Sequence, residues 1–154
     1  MDVVAADINE HALAEVSRKF GIRTVAPEVI HAQEVDVFAP CAMGAVLNDE
    51  TIPELNCAGI EGLANNQLAR PEHGQQLLER NIAYAPDFIV NAGGMIRAGM
   101  PIFSKPDNEL ALRNIDGLFD TLGGILRESR EHNLPTEAIA ERIAIDRINL
   151  ATQT

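Results

Sequence analysis

The sequence predicts an α/β domain built on a doubly wound parallel sheet, with two helices at its carboxyl end. Short β-branched apolar segments alternate with segments whose apolar residues recur every three or four positions. Strands and helices that alternate in this way favour parallel pairing and right-handed crossovers. The 154 residues, 46% of them hydrophobic, are enough for one domain with its own core. We therefore expect a single domain over residues 1–154 that is helical from about residue 95 onward.

The first 94 residues carry the predicted sheet. Apolar and β-branched runs predict strands at 3–8, 22–25, 35–38, 58–63 and 82–90. A helix is predicted at 11–20, with Asn9 as its amino-terminal cap and Gly21 as its end, and another at 73–80. Segment 27–33 is a short helix or turn, and 48–55 contains one helical turn.

The remaining residues are predicted to be helical. An apolar stretch at 95–103 is expected to be helical as far as Pro101, with Met95 and Met100 as core residues. Asp107 is the expected cap of a long amphipathic helix that ends at Asn133-Leu134-Pro135, and Thr136 is the expected cap of a final helix. The apolar face of the long helix consists of Leu110, Ala111, Ile115, Leu118, Leu122, Ile125 and Leu126.

Charge excludes some classes of partner. The formal net charge is −11, and Lys19 and Lys105 are the two lysines in the sequence, so neither nucleic acid nor an anionic membrane is an expected partner. No apolar run approaches the length of a membrane span or signal peptide, which favours a soluble cytoplasmic protein.

The positions of the cysteines and histidines in the sequence do not predict a metal site. Cys41 and Cys57 are isolated, without metal-ligand spacing, and are expected to be reduced. The four histidines are scattered among polar residues, and we expect each to be solvated: His11, His31, His73 and His132.

Two asparagine-rich strand ends indicate a binding site. The strand 82–90 is followed by Asn91 and by the paired glycines Gly93 and Gly94, where a helix is expected to begin. Doubly wound domains bind ligands at the carboxyl ends of their strands, and glycine lets a planar ring approach the backbone. The alternative is that these glycines only form a turn. A second polar strand end, with Asn65 and Asn66, favours the site.

Asp7 is the most informative single residue. An acid at the end of the second strand of a dinucleotide-binding fold binds the adenosine ribose hydroxyls and disfavours a 2′-phosphate, so it indicates NAD rather than NADP. Such an acid normally follows a glycine-rich turn by about 20 residues, whereas six residues precede Asp7 here. The predicted fold is therefore Rossmann-like without its usual first strand. The alternative is that Asp7 serves only to cap the next helix.

Several short motifs occur in the order found in one enzyme family. They are Ala6-Asp7-Ile8-Asn9, Ala39-Pro40-Cys41-Ala42, Asn48-Asp49-Glu50-Thr51-Ile52-Pro53, Ala64-Asn65-Asn66-Gln67-Leu68, Tyr84-Ala85-Pro86-Asp87 and Asn91-Ala92-Gly93-Gly94. With them the whole chain resembles the carboxyl-terminal cofactor domain of the glutamate/leucine/phenylalanine/valine dehydrogenases, and most closely their leucine and valine branch. The resemblance implies oxidative deamination of a branched-chain or related L-amino acid to a 2-oxo acid, with NAD as hydride acceptor.

The resemblance also implies roles for individual residues. The cofactor would be bound by Asp7, Ile8, Cys41, Ala42, Asn65, Asn66 and Asn91, and the substrate would lie near Asn91 and Ala138. Met95 and Arg97 depart from the smaller or uncharged residues usual in branched-chain enzymes, which puts leucine specificity in doubt.

The catalytic lysines of the family belong to an amino-terminal domain whose motifs do not occur here. Lys19 and Lys105 are read as surface residues, so we expect no catalytic residue in this chain and no activity from it alone. NAD binding is expected to be weak or absent. Three interpretations stay open: part of a dehydrogenase, completed or not by a partner chain; a stand-alone nucleotide-binding or regulatory module; and an assembly protein without catalysis. The unpaired strands on either side of the missing one predict a homodimer.

Overall fold

The structure is a computed structural model that describes residues 2–103 and 107–153. Within these ranges, short strands alternate with helices and two long helices follow. The elements are β1 (Val4–Ala5), α1 (Glu10–Phe20), β2 (Arg23–Thr24), β3 (Val37–Phe38), β4 (Gly59–Ile60), α2 (Glu72–Glu79), β5 (Ala83–Tyr84), α3 (Asp87–Val90), α4 (Gly93–Phe103), α5 (Asn108–His132) and α6 (Thr136–Ala151). Two 3₁₀ turns cover Pro27–Val29 and Ile52–Glu54. The predicted α/β class, with a pair of helices at its carboxyl end, is confirmed.

The strands form two parallel sheets. One contains β1 and β2, and the other has the order β3-β4-β5. In the second sheet Phe38 is in register with Ile60, and Ile60 with Tyr84. In the described part of the chain β1 and β3 share no ladder, and these are the strands that would flank the first strand of a complete Rossmann-like sheet.

The core lies between the second sheet and the elements that cross it. Its fully enclosed side chains include Leu47, Ile60 and Leu77, and α2 packs on β5 through Leu77. Each such aliphatic side chain contributes about 1.5–3 kcal/mol of hydrophobic stabilisation. The cluster comprises Phe38, Leu47, Ile52, Leu55, Ile60, Leu77, Ile82 and Tyr84. This packing holds β4, β5 and α2 together.

A second apolar cluster holds the carboxyl-terminal helices together. Ile125 of α5 packs against Ile139 and Ala140 of α6, and Ile89 of α3 lies against this cluster. The short helix α3, which directly follows the last strand, is thereby docked on the two long helices.

Four of the predicted helix ends are confirmed by their capping geometry. Asn9 Oδ1 accepts the Ala12 amide of α1 at 3.0 Å, and Gly21 ends that helix with φ +67°. Asp107 Oδ1 accepts the Leu110 amide of α5 at 3.0 Å. Asn133 ends α5 in the left-handed region at φ +53°, where asparagine is tolerated better than most residues.

The predicted strand 82–90 is wrong beyond Tyr84. Pro86 cannot donate to a ladder, and the chain turns into α3 at Asp87. Phe88 and Val90, whose apolar character suggested a strand, lie on this single helical turn, and Phe88 is exposed. Asn91 therefore follows a helix and does not directly end a strand.

Other expectations need correction. Thr136 does not cap α6: Pro135 occupies the cap position, and the buried Thr136 hydroxyl has no partner among the described residues. His73 is fully buried and not solvated, because its Nδ1 accepts the Arg70 amide at 3.0 Å and its Nε2 lies 3.2 Å from Asp49 Oδ1. His31 is also largely covered and contacts Glu54.

The expected core positions of the methionines and surface positions of the lysines have different outcomes. Met95 is 76% exposed, so it is not a core residue. Lys105 and the side chain of Met100 lie outside the described residues. Lys19 is exposed on α1, where its ammonium lies 5.2 Å from the centre of the Phe20 ring.

Candidate functional site

The loops after β3 and β4 meet at one edge of the second sheet. Because these strands are parallel, the loops leave them on the same side. The Ala64 amide donates to the Pro40 carbonyl at 3.0 Å. A Cβ at Gly62 would lie 2.1 Å from that same carbonyl oxygen, so glycine is required for the contact. Cys41 and Ala42 directly follow this contact and are exposed.

Asn65 and Asn91 come together at this edge. Asn91 Nδ2 donates to Asn65 Oδ1 at 2.6 Å and lies 3.4 Å from the Leu63 carbonyl. The bond leaves the Asn65 amide nitrogen as a donor and the Asn91 amide oxygen as an acceptor. A donor and an acceptor side by side suit a ligand carboxamide or a pair of sugar hydroxyls. The two asparagines that the sequence predicts as site residues are thus one paired feature.

Asn66 has a backbone role in the structure, while its predicted cofactor contact stays a prediction. Its φ of +53° is left-handed, and its carbonyl accepts the Ala45 amide at 2.7 Å. A Cβ at Gly44 would lie 2.6 Å from the Asn65 carbonyl oxygen, so the two loops are in close contact. The exposed Asn66 side chain is left available beside Asn65.

Two buried polar residues support this edge, and the sequence interpretation assigned a role to neither. Gln67 is fully buried and its Nε2 donates to the carbonyls of Gly62 at 2.6 Å and Ala64 at 3.0 Å. Asp87, at the start of α3, accepts the Gln67 backbone amide at 2.8 Å. Their position inside quoted motifs was the available signal, but alternation of apolar residues placed Asp87 within a strand.

Tyr84 completes this buried group. Its hydroxyl donates to Asp87 Oδ2 at 3.3 Å. Burial, and then the charge of Asp87, raise the pKa of Tyr84 well above its ordinary value, so the hydroxyl keeps its proton at neutral pH.

The two cysteines differ in their surroundings. Cys41 is exposed at the strand-end edge, and Cys57 is half-buried before β4. Burial raises the pKa of the Cys57 thiol. Cys57 lines a shallow cavity of about 460 Å³ with Glu34, Val35, Asp36, Asn56 and Ala58, next to the amino ends of β3 and β4. Of the two, Cys41 alone is placed with the candidate site residues.

Asp7 and Ile8 follow β1 in the other sheet. Asp7 is exposed and its Oδ1 accepts the Asn9 amide at 2.7 Å, while the side chain that caps α1 belongs to Asn9. Ile8 is 92% exposed. Asp7 therefore stabilises the turn into α1 and presents an open carboxylate, which is compatible with either interpretation of this residue.

Ala138 lies on the first turn of α6 and is exposed. Beside it, Glu137 is directed toward α2, where a Cβ on Gly74 would lie 1.6 Å from Glu137 Oε1. Burial raises the pKa of Glu137, and its Oε2 has no hydrogen-bond partner among the described residues. The role predicted for Ala138 stays a prediction.

Among residues 2–103 and 107–153, no group of three or more His, Cys, Asp and Glu side chains is arranged to hold a metal ion. None of their helices is long and apolar enough to cross a membrane.

Comparison with known proteins identifies the family of the chain. The chain is 38% identical to leucine dehydrogenase of Geobacillus stearothermophilus over 146 residues, which are 95% of this chain and 40% of that protein. The crystal structure of L-tryptophan dehydrogenase from Nostoc punctiforme matches with a TM-score of 0.89 and 38% identity, over 99% of this chain and 46% of that one.

A hetero-hexameric glutamate dehydrogenase from Thermus thermophilus shares the fold at a TM-score of 0.66 and 17% identity, over 95% of this chain and 37% of that one. The chain thus spans less than half the length of each of these relatives. Residues 2–108 match the profile of the Glutamate/Leucine/Phenylalanine/Valine dehydrogenase family. With the asparagine pair at its strand-end edge, this chain belongs to the glutamate/leucine/phenylalanine/valine dehydrogenase family.

Proposed function

We propose that this chain is the NAD-binding domain of an enzyme that oxidatively deaminates an L-amino acid to a 2-oxo acid and ammonia. Family membership supports the reaction class. The observation that carries the proposal is the bond between Asn65 and Asn91, which places two amides at the edge where parallel α/β sheets bind their ligands.

The side chains present fit a nicotinamide dinucleotide. The open carboxylate of Asp7 suits ribose hydroxyls and opposes a 2′-phosphate, which favours NAD over NADP. Among the described residues, no hydrogen bond occupies the Asn65 amide nitrogen or the Asn91 amide oxygen, and this donor and acceptor suit a ribose hydroxyl and a carboxamide. Ile8, Cys41, Ala42 and Asn66 would lie along the cofactor. Nicotinamide, when bound, supplies the hydride acceptor, and the residues of this chain bind and orient it.

The substrate is proposed to be an apolar L-amino acid, branched-chain or related. The relatives named above act, by their names, on leucine and on tryptophan. Arg97 lies on α4, close to Asn91 in sequence, and is exposed. Its cation near the proposed substrate contact argues against strict specificity for leucine. Asn91 and Ala138 are the proposed substrate contacts.

No residue of this chain is assigned to proton transfer. Lys19 is exposed on α1, which lies beside the first sheet, and Lys105 is outside the described residues. We place the general base and the closing cleft in a further part of the enzyme, on the same polypeptide or on a partner chain. The purified 154-residue polypeptide is therefore expected to turn over leucine, valine or phenylalanine far more slowly than about 1 s⁻¹.

We also propose a cytoplasmic homodimer. In the described part of the chain, β1 and β3 do not pair, and apolar side chains near these strands are exposed. They include Val3, Phe20 and Val37, which are 45%, 65% and 54% exposed. Unpaired strand edges with apolar neighbours favour pairing with another chain.

Ligand-observed NMR with NAD and NADP tests the cofactor proposal. We expect NAD to bind more weakly than about 1 mM, since the phosphate-binding glycine turn is not in this sequence. Asp7→Ala should abolish the adenosine signals and Asn91→Ala the nicotinamide signals. Asp36→Ala, at the opposite end of β3, is the control. Equal binding of NADP, or no effect of Asp7→Ala, would contradict the proposal, and micromolar binding would mean that the phosphates are held in another way.

A further inference from the structure

We propose that Asp87 is a positioning residue that fixes Asn65 and Asn91 relative to each other, and this inference rests on the proposed function. Asp87 Oδ2 accepts the Gln67 backbone amide at 2.8 Å, two residues after Asn65. The Asp87 backbone carbonyl accepts the Asn91 backbone amide at 2.9 Å. One residue therefore connects both chain segments that carry the amide pair.

The surroundings of Asp87 make this connection strong. Asp87 is 8% exposed, and among the residues that the structure describes no Lys, Arg or His forms an ion pair with it. A buried carboxylate without a cation depends on its hydrogen-bond donors, here the Gln67 amide and the Tyr84 hydroxyl. Bonds to a charged acceptor are shorter and stronger than bonds between neutral groups.

Each segment is rigid apart from this connection. The Gln67 side chain closes residues 62–67 into a loop through the Gly62 and Ala64 carbonyls, and the Gln67 carbonyl accepts the Leu47 amide at 3.0 Å. On the other side, Ile89 docks α3 on the cluster formed by α5 and α6. Asp87 joins two bodies that are each well fixed.

The bond between Asn65 and Asn91 is not sufficient to set its own geometry. It is an exposed bond between two neutral amides, and water competes with each amide for the other. A buried, charge-assisted bond a few residues away is a better determinant of where both amides lie. Asp87 touches neither the free donor of Asn65 nor the free acceptor of Asn91, so its effect on a ligand would be indirect.

The test uses the ¹⁵N-labelled chain without cofactor. In Asp87→Ala we expect hydrogen exchange of the Gln67 backbone amide to be at least about tenfold faster. We also expect the NMR signal of the Asn91 side-chain amide to shift to the position of a solvent-exposed amide. Asp87→Asn retains an acceptor oxygen and should restore both in part. Asp120→Ala, an exposed acid on α5, is the control and should change neither. Unchanged Gln67 and Asn91 signals in a folded Asp87→Ala protein would overturn the proposal.

If Asp87→Ala does not fold, the variants Asp87→Asn and Tyr84→Phe test the positioning role of Asp87. Asp87→Asn should speed exchange of the Gln67 amide relative to the Leu47 amide, which Asp87 does not contact. Tyr84→Phe leaves the bond from Asp87 to Gln67 in place and should keep the Asn91 signal. An unchanged exchange ratio in Asp87→Asn, or a lost Asn91 signal in Tyr84→Phe, would overturn the proposal.

Addition of NAD separates this proposal from the proposed function. We expect the Asp87 variant that folds to bind NAD about tenfold more weakly than the parent chain, roughly 1.4 kcal/mol. Equal NAD binding would overturn the positioning role. If the Asn91 and Gln67 signals change as expected but NAD binds to neither protein, Asp87 does position the amides and the cofactor proposal is what fails.

Discussion

Glu137 is the residue whose environment makes the clearest prediction about pH. Its carboxyl group is half-buried at the start of α6, and burial raises its pKa above the ordinary value near 4.5. The unfolded chain therefore loses this proton at a lower pH than the folded chain. Below about pH 4 both states are protonated and the group costs nothing; above pH 4.5 its ionisation progressively destabilises the folded state.

Glu137→Gln should accordingly raise the melting temperature at pH 7 by about 2 °C and have little effect at pH 4. The amide cannot ionise, so it removes the cost of a buried charge and keeps the shape of the side chain. Glu131→Gln, on the exposed face of α5, is the matched control and should change neither value. A stabilisation confined to pH 4 would show that the sign is wrong.

At the same scale, the sequence allowed the candidate site residues to be proposed, but not the residues that support them. Asn65, Asn66 and Asn91 could be proposed because each lies shortly after an apolar segment. The buried partners Gln67 and Asp87 could not be recognised, since what defines them is a hydrogen bond across 20 positions. The prediction that His73 is solvated was wrong for the same reason. Its neighbours in sequence are polar, whereas its neighbours in space bury it.

The contact between the loops after β3 and β4 is the element that shapes the site edge. Gly62→Ala should destabilise the chain by about 2–4 kcal/mol, because its Cβ would overlap the Pro40 carbonyl oxygen and the backbone on both sides would have to move. Gly124→Ala, in the interior of α5 with open space around it, should instead stabilise by about 0.5–1 kcal/mol.

Urea unfolding of both glycine variants measures these effects. A Gly62→Ala protein as stable as Gly124→Ala would mean that the two loops are not in contact.

The helices were predicted more closely than the strands, for a local reason. Asn9, Gly21, Asp107 and Asn133 define helix ends through bonds within one turn, and these bonds are readable from the sequence. Strand ends depend on pairing with distant segments. The strand predicted to continue to Val90 stops at Tyr84 because Pro86 ends the ladder and α3 docks on α5.

At the scale of the whole molecule, association is the first prediction. Exposed Val3, Phe20 and Val37 and the unpaired strands β1 and β3 lead us to expect a homodimer that buries more than about 2,000 Å² of mostly apolar surface. Sedimentation velocity at micromolar concentration should give a single species of twice 16.7 kDa. Val37→Lys should shift it toward monomer, while Val29→Lys, at an exposed 3₁₀ turn, should not. A well-folded monomer at that concentration would contradict the prediction.

The parallel pairing of the described strands followed from the alternation of strands and helices, and the family followed from the order of the motifs. The separation into two sheets depends on which strands pair, and that is a property of the folded molecule. We expect the two sheets to contribute to one nicotinamide-cofactor site, with Asp7 on the first and the Asn65–Asn91 pair on the second.

Amide-resolved NMR during titration with up to roughly 20 mM NAD tests whether both sheets contribute to one cofactor site. We expect the signals of Asp7, Ile8, Asn65, Asn66 and Asn91 to move together along one binding curve, and NADP to move them less. A shared NAD site would be contradicted if NAD shifted only signals of residues outside these two segments, or if NAD and NADP shifted the same signals equally.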